Sequence, residues 1–226
     1  CAPPRRNPSS ARIAPDGLPR RMFYNMAKTA PSPIADLKVR QAIDLAINRE
    51  ELQQDLEGGH GTRSLFPQGT PWYQENLGSS LADTAAAGAK LDEAGWTLDS
   101  STGKRTKDGV DLTIDLFTYA FRPDLCAMQP EIAANLEALG ITVNVICSGT
   151  SPGVYDDDDW AETVSRLAAE PPDFDIIIWS QNVLPTADPV HFLNGFFHSA
   201  GPNIDKTGGW SSAAVDAKLD ALNVAE

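Results

Sequence analysis

An apolar stripe with helical spacing runs through residues 36–59 and constrains the fold more than any other stretch. Its members recur at i, i+3, i+4, i+7 and i+8, as on one face of an α-helix. They are Val39, Ala42, Ile43, Ala46 and Ile47. Asp36 is a suitable N-cap, and the Pro-Ser-Pro sequence before it disfavours an earlier start. Asn48 is a second candidate cap, and Gly58 with Gly59 is expected to end the following helix. The stretch therefore predicts a pair of helices that bury one apolar face.

Strand patterns alternate with helix patterns along the rest of the chain. Residues 110–119 alternate apolar and polar side chains, as a half-buried strand does, and residues 141–147 do the same. Residues 174–179, FDIIIW, are almost continuously apolar and predict a buried central strand. A shorter strand is predicted over residues 21–26. Further helices are predicted over residues 84–94, 130–139, 160–169 and 189–197, and from residue 212 onward. This alternation predicts an α/β fold with a mixed sheet covered by helices.

Four stretches between these elements are predicted to be irregular. Residues 1–20 are interpreted as a linker or the remnant of a preceding segment. Residues 60–78 are rich in glycine, proline, threonine and aromatic side chains, which indicates a loop over the surface or along a cleft. Residues 100–109 are predicted to form a turn. The four aspartates at 156–159 indicate an acidic loop or a helix start, because the next two residues lack the oxygen ligand and the glycine of a calcium loop.

The charge balance of the 226 residues argues against several classes of partner. The net charge is −13 and the isoelectric point is near 4.5, which disfavours binding of nucleic acid or of an anionic membrane surface. No run approaches the ~18 apolar residues of a membrane-spanning helix, and no signal peptide is recognisable. The sequence opens with a Pro/Arg/Ser-rich lead and stops partway through a helical pattern, so we expect the chain to be truncated at both ends.

The three cysteines, Cys1, Cys126 and Cys147, have no metal-binding spacing. A helix that begins near Cys126 rises roughly 20 Å, and a strand over residues 141–147 returns by a similar length. Pro130 then falls near the first turn of the helix, where proline is tolerated. The two later cysteines can therefore end at the same level of a helix–strand hairpin. A disulfide between them is one outcome, and two buried free thiols are the outcome that we expect.

The sequence contains none of the common catalytic or metal-binding motifs. His60, His191 and His198 lack paired spacing, and no Gly-x-Ser-x-Gly, HExxH or P-loop sequence occurs. We therefore predict no catalytic residues, no cofactor, no metal site and no enzymatic activity. Trp72, Trp179 and Trp210 fall in or beside predicted loops, where an indole ring can line a ligand cleft. Packing at the edge of the core is their alternative role.

Several short motifs occur in the same order as in one known family. In chain order they are Val39-Arg40-Gln41-Ala42 with Ala46-Ile47-Asn48-Arg49, Glu93-Ala94-Gly95-Trp96, Lys107-Asp108-Gly109, Gly140-Ile141, Phe174-Asp175 with Trp179, Asp188-Pro189 and Trp210-Ser211. Each motif is weak alone. Their collinear order over about residues 20–222 resembles the family 5 extracellular solute-binding proteins, which are the receptors of peptide and nickel ABC importers.

The resemblance implies a periplasmic-binding-protein-like fold whose two lobes close on a solute by a hinge. It places residues 21–226 in the C-terminal lobe, so that the chain carries one wall of the cleft. The implied function is capture of a small polar solute, oligopeptide-like or a metal chelate, and its delivery to an ABC permease in the membrane. The implied form is a monomer in the periplasm or cell exterior, membrane-tethered where the full-length protein is a lipoprotein. A sensory or scaffolding protein of the same fold, or a hydrolase on an α/β scaffold, is the alternative.

One position departs from the peptide-binding members of the family. Those members carry an aspartate three residues before the Asp-Pro pair, where it anchors the α-amine of the peptide, and this chain has Pro185 there. Nickel-chelate binders use a histidine and arginines in a similar cleft. His191, three residues after Asp188, is the corresponding candidate, although a histidine at a helix start is more often structural.

The loop after the buried strand is the predicted solute site, because ligands of open α/β sheets bind beyond the carboxyl ends of strands. The predicted ligand-binding residues are Trp179, Gln181, Asn182, Asp188, Trp72 and His191. Trp179 offers a flat apolar wall, and the two amides donate and accept hydrogen bonds without a fixed charge. Asp188 is also expected to cap the helix that starts at Pro189. Arg40 is expected to be structural and to bridge to a carboxylate of a neighbouring segment.

Overall fold

A four-stranded mixed sheet forms the centre of the molecule. The computed structural model describes residues 18–52, 61–150, 152–183 and 188–223. The strands, in spatial order, are β1 (Arg20–Tyr24), β7 (Ile176–Ser180), β5 (Thr113–Tyr119) and β6 (Thr142–Ser148). β5 runs parallel to both β7 and β6, and β1 runs antiparallel to β7. The predicted mixed sheet is confirmed, with its most apolar strand in the interior.

Helices cover both faces of this sheet. They are α1 (Leu37–Ala46), α2 (Arg49–Leu52), α3 (Thr84–Glu93), α4 (Pro123–Glu137), α5 (Asp157–Ala168), α6 (Val190–Phe197) and α7 (Ala213–Asn223). α1 and α4 lie on one face, where Gln129 of α4 donates to Leu116 O and Ile146 O at 2.8 and 3.0 Å. α5 and α6 lie on the other face, where the rings of Phe23 and Phe196 stack 5.3 Å apart. The predicted α/β class is confirmed as three layers.

Helix α1 buries the apolar stripe predicted from the sequence. Its buried residues are Val39, Ala42, Ile43 and Ala46. Asp36 caps it as predicted, accepting a hydrogen bond from Lys38 N at 2.8 Å. Arg40 makes internal contacts, but its guanidinium donates to Ile34 O and Ala35 O at 2.8 and 2.9 Å, and not to the predicted carboxylate. Carbonyls take that place because the short 3₁₀ turn before α1 brings its backbone against this side chain.

Helix α2 begins at Arg49, directly after the predicted cap. The prediction that Asn48 caps this helix is wrong, because the side-chain oxygen of Asn48 is buried and accepts no hydrogen bond. The backbone of Asn48 is held from α4 instead, where Asn135 Oδ1 accepts from Asn48 N at 2.8 Å. Gly58 and Gly59, predicted to end this helix, lie outside the described residues.

Residues 97–111 form a second, three-stranded antiparallel sheet. It contains the predicted turn over residues 100–109 and the first two residues of the strand predicted over residues 110–119, which the structure divides between the two sheets. Its strands are β2 (Thr97–Asp99), β3 (Lys104–Lys107) and β4 (Val110–Asp111). Gly103 and Gly109 take positive φ values of 71° and 79° at the two tight turns. The only buried side chain of β3 belongs to Arg105, which donates to Leu139 O at 2.9 Å. The strand was missed because its buried position is occupied by an arginine, whereas the pattern used to predict strands expects an aliphatic residue there.

A disulfide joins Cys126 to Cys147, with Cα atoms 5.8 Å apart, so the expectation of two free thiols is wrong. The cysteines meet because α4 starts at the edge of the sheet where β6 ends. α4 begins at Pro123, whose missing N–H costs no hydrogen bond in a first turn. Pro130 therefore lies in the interior of α4, and not near its first turn as predicted.

The acidic run at residues 156–159 starts a helix. Asp156 caps α5 by accepting hydrogen bonds from Asp158 N and Asp159 N at 2.9 and 3.2 Å. Carboxylates in a first turn also interact favourably with the helix dipole. Of the two interpretations of this run, the helix start is confirmed. Within the described segments, no helix is both long enough and apolar enough to cross a membrane.

Candidate functional site

The carboxyl ends of β5 and β7 carry a cluster of aromatic rings. Tyr119 is the last residue of β5 and Trp179 is the penultimate residue of β7, and their ring centroids lie 4.7 Å apart. Trp160 of α5 packs against both, with centroids 5.8 Å from Tyr119 and 6.3 Å from Trp179. Trp179 is only 7% exposed. These three residues, called the aromatic cluster below, form a packed base at the edge where ligands of open α/β sheets bind.

Two further rings extend the aromatic cluster into solvent. The ring centroid of Tyr155 lies 6.3 Å from that of Trp160 and 5.5 Å from that of Phe121. Phe121 and Tyr155 are 44% and 54% exposed. A shallow recess between them is lined in part by Ser148 and Thr163, whose hydroxyl oxygens are 2.6 Å apart. The exposure of the aromatic rings therefore increases from the base of this edge toward solvent. Ligand sites are likewise lined mainly by apolar and aromatic side chains.

Amide and cationic groups border the ring of Trp179. Its indole Nε1 donates to Gln181 Oε1 at 3.5 Å, and Gln181 and Asn182 are both half-buried. The ammonium of Lys206 lies 5.1 Å from the centre of the Trp179 ring and pairs with Asp205 at 2.9 Å. The position of the indole is thus fixed by an amide at its edge and a cation over its face.

A tyrosine, a serine and an arginine meet beside the aromatic cluster. Arg122 Nη2 donates to Ser180 Oγ at 3.3 Å, and the Tyr119 hydroxyl has the Arg122 side chain and the Ser180 backbone as hydrogen-bonding neighbours. Burial raises the pKa of Tyr119, because desolvation disfavours the phenolate. The hydroxyl is therefore protonated at neutral pH and can donate a hydrogen bond.

A second aromatic group lies between the loop after residue 61 and helix α6. The ring centroid of Phe66 is 6.1 Å from that of Trp72 and 6.3 Å from that of Phe192. The guanidinium of Arg21, from β1, lies 4.5 Å from the centre of the Phe192 ring. His191 precedes Phe192 on α6 and is exposed. Trp72 is half-buried here, so it packs at the edge of the core and not in contact with the aromatic cluster.

The carboxylate of Asp188 bonds to the first turn of helix α6, but the N-cap position is Pro189, so the N-cap predicted at Asp188 is wrong by one residue. Asp188 Oδ1 accepts a hydrogen bond from Val190 N at 2.8 Å, which satisfies one of the free N–H groups of the first turn. The helix begins at Val190, one residue later than predicted, because Pro189 occupies the position before it. The position aligned with the family aspartate, Pro185, lies outside the described residues.

The structure brings some of the predicted site residues together and separates others. Trp179 and Gln181 are in contact, and Asn182 follows them directly. Trp72 belongs to the second aromatic group, and Asp188 is engaged with the start of α6. The part that these residues and His191 play in ligand binding stays a prediction.

Sequence reasoning missed three residues of this edge. Tyr119 closes the alternating pattern of β5, and Trp160 stands four residues after the aspartate that caps α5. Each of these two positions can be recognised in the sequence. They indicate a common site only when it is known that the end of β5 and the start of α5 lie at the same edge of the sheet. Arg21 was missed because its importance comes from its position opposite Trp179 in the β1–β7 ladder. Within the described part of the chain, no group of three or more His, Cys, Asp or Glu side chains is placed to hold a metal ion.

Comparison with known proteins shows the family to which the chain belongs. Residues 5–203 match the family model described as bacterial extracellular solute-binding proteins, family 5 Middle. The chain is 34% identical over 208 residues to protein XP55 of Streptomyces lividans, covering 89% of this chain and 35% of that protein. It is 38% identical over 118 residues to the oligopeptide-binding protein OppA of Lactococcus lactis subsp. lactis, covering 45% of this chain and 19% of that protein. The chain thus spans about a fifth to a third of the length of these relatives.

The fold is also that of solved structures of similar proteins. The crystal structure of NikA from Brucella suis in complex with Fe(III)-EDTA superposes with a TM-score of 0.72 at 24% sequence identity, covering 92% of this chain and 39% of that one. At this identity the likeness speaks for the fold alone. Because the family model matches most of the chain, the protein belongs to the bacterial extracellular solute-binding proteins of family 5.

Proposed function

We propose that this chain forms one lobe of a solute receptor, and that the carboxyl edge of its sheet is one wall of the solute-binding cleft. The observation that carries the proposal is the aromatic cluster of Tyr119, Trp160 and Trp179, with the half-buried amides of Gln181 and Asn182 beside it. Aromatic faces desolvate a ligand, and neutral amides orient its polar groups. Family membership supports the same function.

The solute that suits this wall is small and polar, either oligopeptide-like or a metal chelate. The Lactococcus relative is an oligopeptide-binding protein, and the Brucella structure holds Fe(III)-EDTA. Pro185 replaces the aspartate with which peptide-binding members hold an α-amine. The solute is therefore oriented from this lobe by groups other than that carboxylate.

The wider setting follows from the family. Residues 21–226 form the C-terminal lobe of a receptor that closes on its solute by a hinge and passes it to an ABC permease. The receptor acts as a monomer outside the cytoplasm, in the periplasm or at the cell exterior, where a lipid can tether it. The disulfide between Cys126 and Cys147 supports this location, because such bonds persist in oxidising compartments.

The described residues favour a receptor over a hydrolase. Cys126 and Cys147 are joined to each other, so neither offers a thiolate nucleophile. His198 is engaged locally, since its Nδ1 accepts from Ala200 N at 3.0 Å and its Nε2 lies 3.4 Å from Asp220. These groups hold structure together and are not arranged as a nucleophile with its base.

Ligand-induced tryptophan fluorescence in the two-lobed receptor tests the proposal. The probes are a library of tri- to pentapeptides and a nickel–histidine complex. Trp179→Phe is expected to remove most of the signal change, and Asn182→Ala to weaken binding by ~1–3 kcal/mol if a buried amide loses its partner. Trp210→Phe is the matched control, because Trp210 packs on Phe197, 6.2 Å away, and not on the aromatic cluster. Unchanged signal and affinity in both Trp179→Phe and Asn182→Ala would refute the proposal.

A further inference from the structure

Arg21 is a half-buried cation beside the proposed cleft. It stands opposite Trp179 in the β1–β7 ladder, so the two side chains leave the sheet on the same face. Its guanidinium lies over the ring of Phe192 at 4.5 Å. It donates to two carbonyls, Pro19 O at 3.4 Å and Leu65 O. Its Nε is buried and has no hydrogen-bond partner.

No carboxylate of the described residues neutralises this guanidinium. The neighbouring Arg20 pairs with Asp124 at 2.8 Å, and Arg166 pairs with Asp173 at 2.7 Å. Arg21 has only carbonyl dipoles and an aromatic face. Burial lowers the pKa of Arg21 to about 9, because a desolvated cation is disfavoured where no anion is near. The group is still charged at neutral pH, so its positive charge at this edge has no carboxylate partner within the described residues.

The guanidinium can be reached from solvent at one end. Its hydrogen bond to Leu65 O is at the surface, and Leu65 is 40% exposed. An arginine has five N–H donors in a planar fork that matches a carboxylate, and two of them are used here. A carboxylate that approaches this end would supply the missing negative charge and accept two hydrogen bonds.

We infer that Arg21 is the anion-binding residue of the cleft, and that the solute carries a carboxylate which docks on its guanidinium. The inference rests on the proposed function, because it places a solute at this edge. It gives a role to a cation that has no carboxylate partner among the described residues, in a chain whose net charge is −13. The solute class is thereby narrowed to carboxylates, such as a peptide with a free C-terminus or a carboxylate chelate.

Titration of the 226-residue chain with sodium acetate tests this inference. The Arg21 Nε–H signal and the Leu65 amide signal are followed by NMR, at ionic strength held constant with sodium chloride. We expect a saturable shift with acetate and none with acetamide, its neutral analogue. Arg21→Gln should raise the apparent Kd for acetate at least tenfold, as reported by the Leu65 amide. Arg166→Gln, the matched control, should change it less than twofold, because Arg166 also lies over a ring, that of Phe117 at 5.6 Å, but has its own carboxylates.

Two outcomes of the titration on the 226-residue chain would overturn the inference. One is the absence of a saturable, acetate-specific shift in the parent chain, and the other is equal weakening by the Arg21 and Arg166 variants. The titration is repeated on the two-lobed receptor. Acetate binding to the 226-residue chain but not to the longer protein would mean that a carboxylate of the protein itself occupies Arg21, which would also overturn it. Each result is separate from the fluorescence test, since acetate binding does not require Trp179 to line the cleft.

Discussion

The two ends of the central sheet differ in how their polar groups are hydrogen-bonded. At the amino ends of β5 and β7, Asp175 accepts hydrogen bonds from Lys28 Nζ at 2.7 Å and from Asp115 N at 2.9 Å. Asn25 donates to Phe174 O at 2.9 Å. This closed end uses its buried polar groups for internal bonds. The open end, at the carboxyl ends of the same strands, carries exposed rings, half-buried amides and the unpaired Nε of Arg21.

Because of this difference, the same substitution is expected to reduce stability at one end and solute affinity at the other. A buried polar group that is fully hydrogen-bonded inside the protein loses stability when its partner is removed. A polar group that faces a ligand surface loses affinity instead. Matched substitutions at the two ends therefore test whether the open end is the functional one, and the following predictions run from the largest expected effect to the smallest.

The disulfide holds the open end covalently, and its removal should have the largest effect. Cys147 pairs in register with Thr118, one residue before Tyr119. Replacing Cys126 and Cys147 together by alanine should lower the free energy of unfolding by about 3 kcal/mol, since the bond closes a loop with a sequence separation of 21. Urea denaturation measures this loss. Dithiothreitol should destabilise the parent and not the double variant, and equal stability of the two proteins without it would contradict the prediction.

The same asparagine-to-alanine change should act differently at the two ends. Asn25→Ala should cost ~2–3 kcal/mol of stability, because the fully buried amide donates to Pro172 O and Phe174 O and accepts from Ala27 N. Its effect on solute affinity in the two-lobed receptor should be small. Asn182→Ala should show the reverse. Thermal denaturation and fluorescence titration of both variants check the contrast, which fails if both lose mainly stability.

An arginine-to-methionine pair sharpens the comparison further. Arg40→Met should cost ~1–2 kcal/mol of stability, because two charge-assisted hydrogen bonds to Ile34 O and Ala35 O are lost while the apolar stem is kept. Arg21→Met should cost less, because the relief of desolvating a charge without a carboxylate partner offsets the loss of the hydrogen bonds to Pro19 O and Leu65 O. Urea denaturation of both variants without added carboxylate tests this. A large loss of solute affinity in the two-lobed receptor for Arg40→Met, at unchanged stability, would contradict a structural role for Arg40.

Two aspartates that accept hydrogen bonds from the first turns of helices give the smallest expected effect. Asp83 accepts from Ala86 N at 2.9 Å and Asp188 from Val190 N at 2.8 Å. Replacing either by alanine should cost about 1 kcal/mol, the usual value of an N-cap. If Asp188 also contacts the solute, only Asp188→Ala will weaken binding in the two-lobed receptor. Equal affinities for the two variants would limit Asp188 to its structural role.

Periodicity predicted the elements that bury a regular apolar face. The stripe of α1 and the apolar run of β7 each have one dominant signal, so the fold class could be derived from them. Strand β3 could not, because its single buried side chain is that of Arg105 and a guanidinium gives no apolar signal. The sequence could bring Cys126 and Cys147 to the same level, but it could not decide whether they are bonded, because that depends on their Cα separation of 5.8 Å in the folded hairpin.

The candidate site was predicted in part for a related reason. Trp179 could be found because it ends an unmistakable strand, and Gln181 follows it at once. Tyr119, Trp160 and Arg21 come from three distant stretches of the chain that meet only through strand order and register. The hydrophobic pattern of a single sequence predicts strands but not their spatial order in the sheet. A site that is formed by the ends of several strands can therefore be predicted only in part.

The aromatic cluster also makes this edge of the protein observable by its own optical signals. Trp160 and Trp179 lie 6.3 Å apart, and Tyr119 lies within 6 Å of both. At such distances the excited states of two indoles couple, and light absorbed by the phenol is emitted by its neighbours. The aromatic cluster should therefore contribute a coupled signal to the near-ultraviolet circular dichroism that reports on the proposed wall of the cleft. Occupancy can be followed without a label, in dilute solution and in real time.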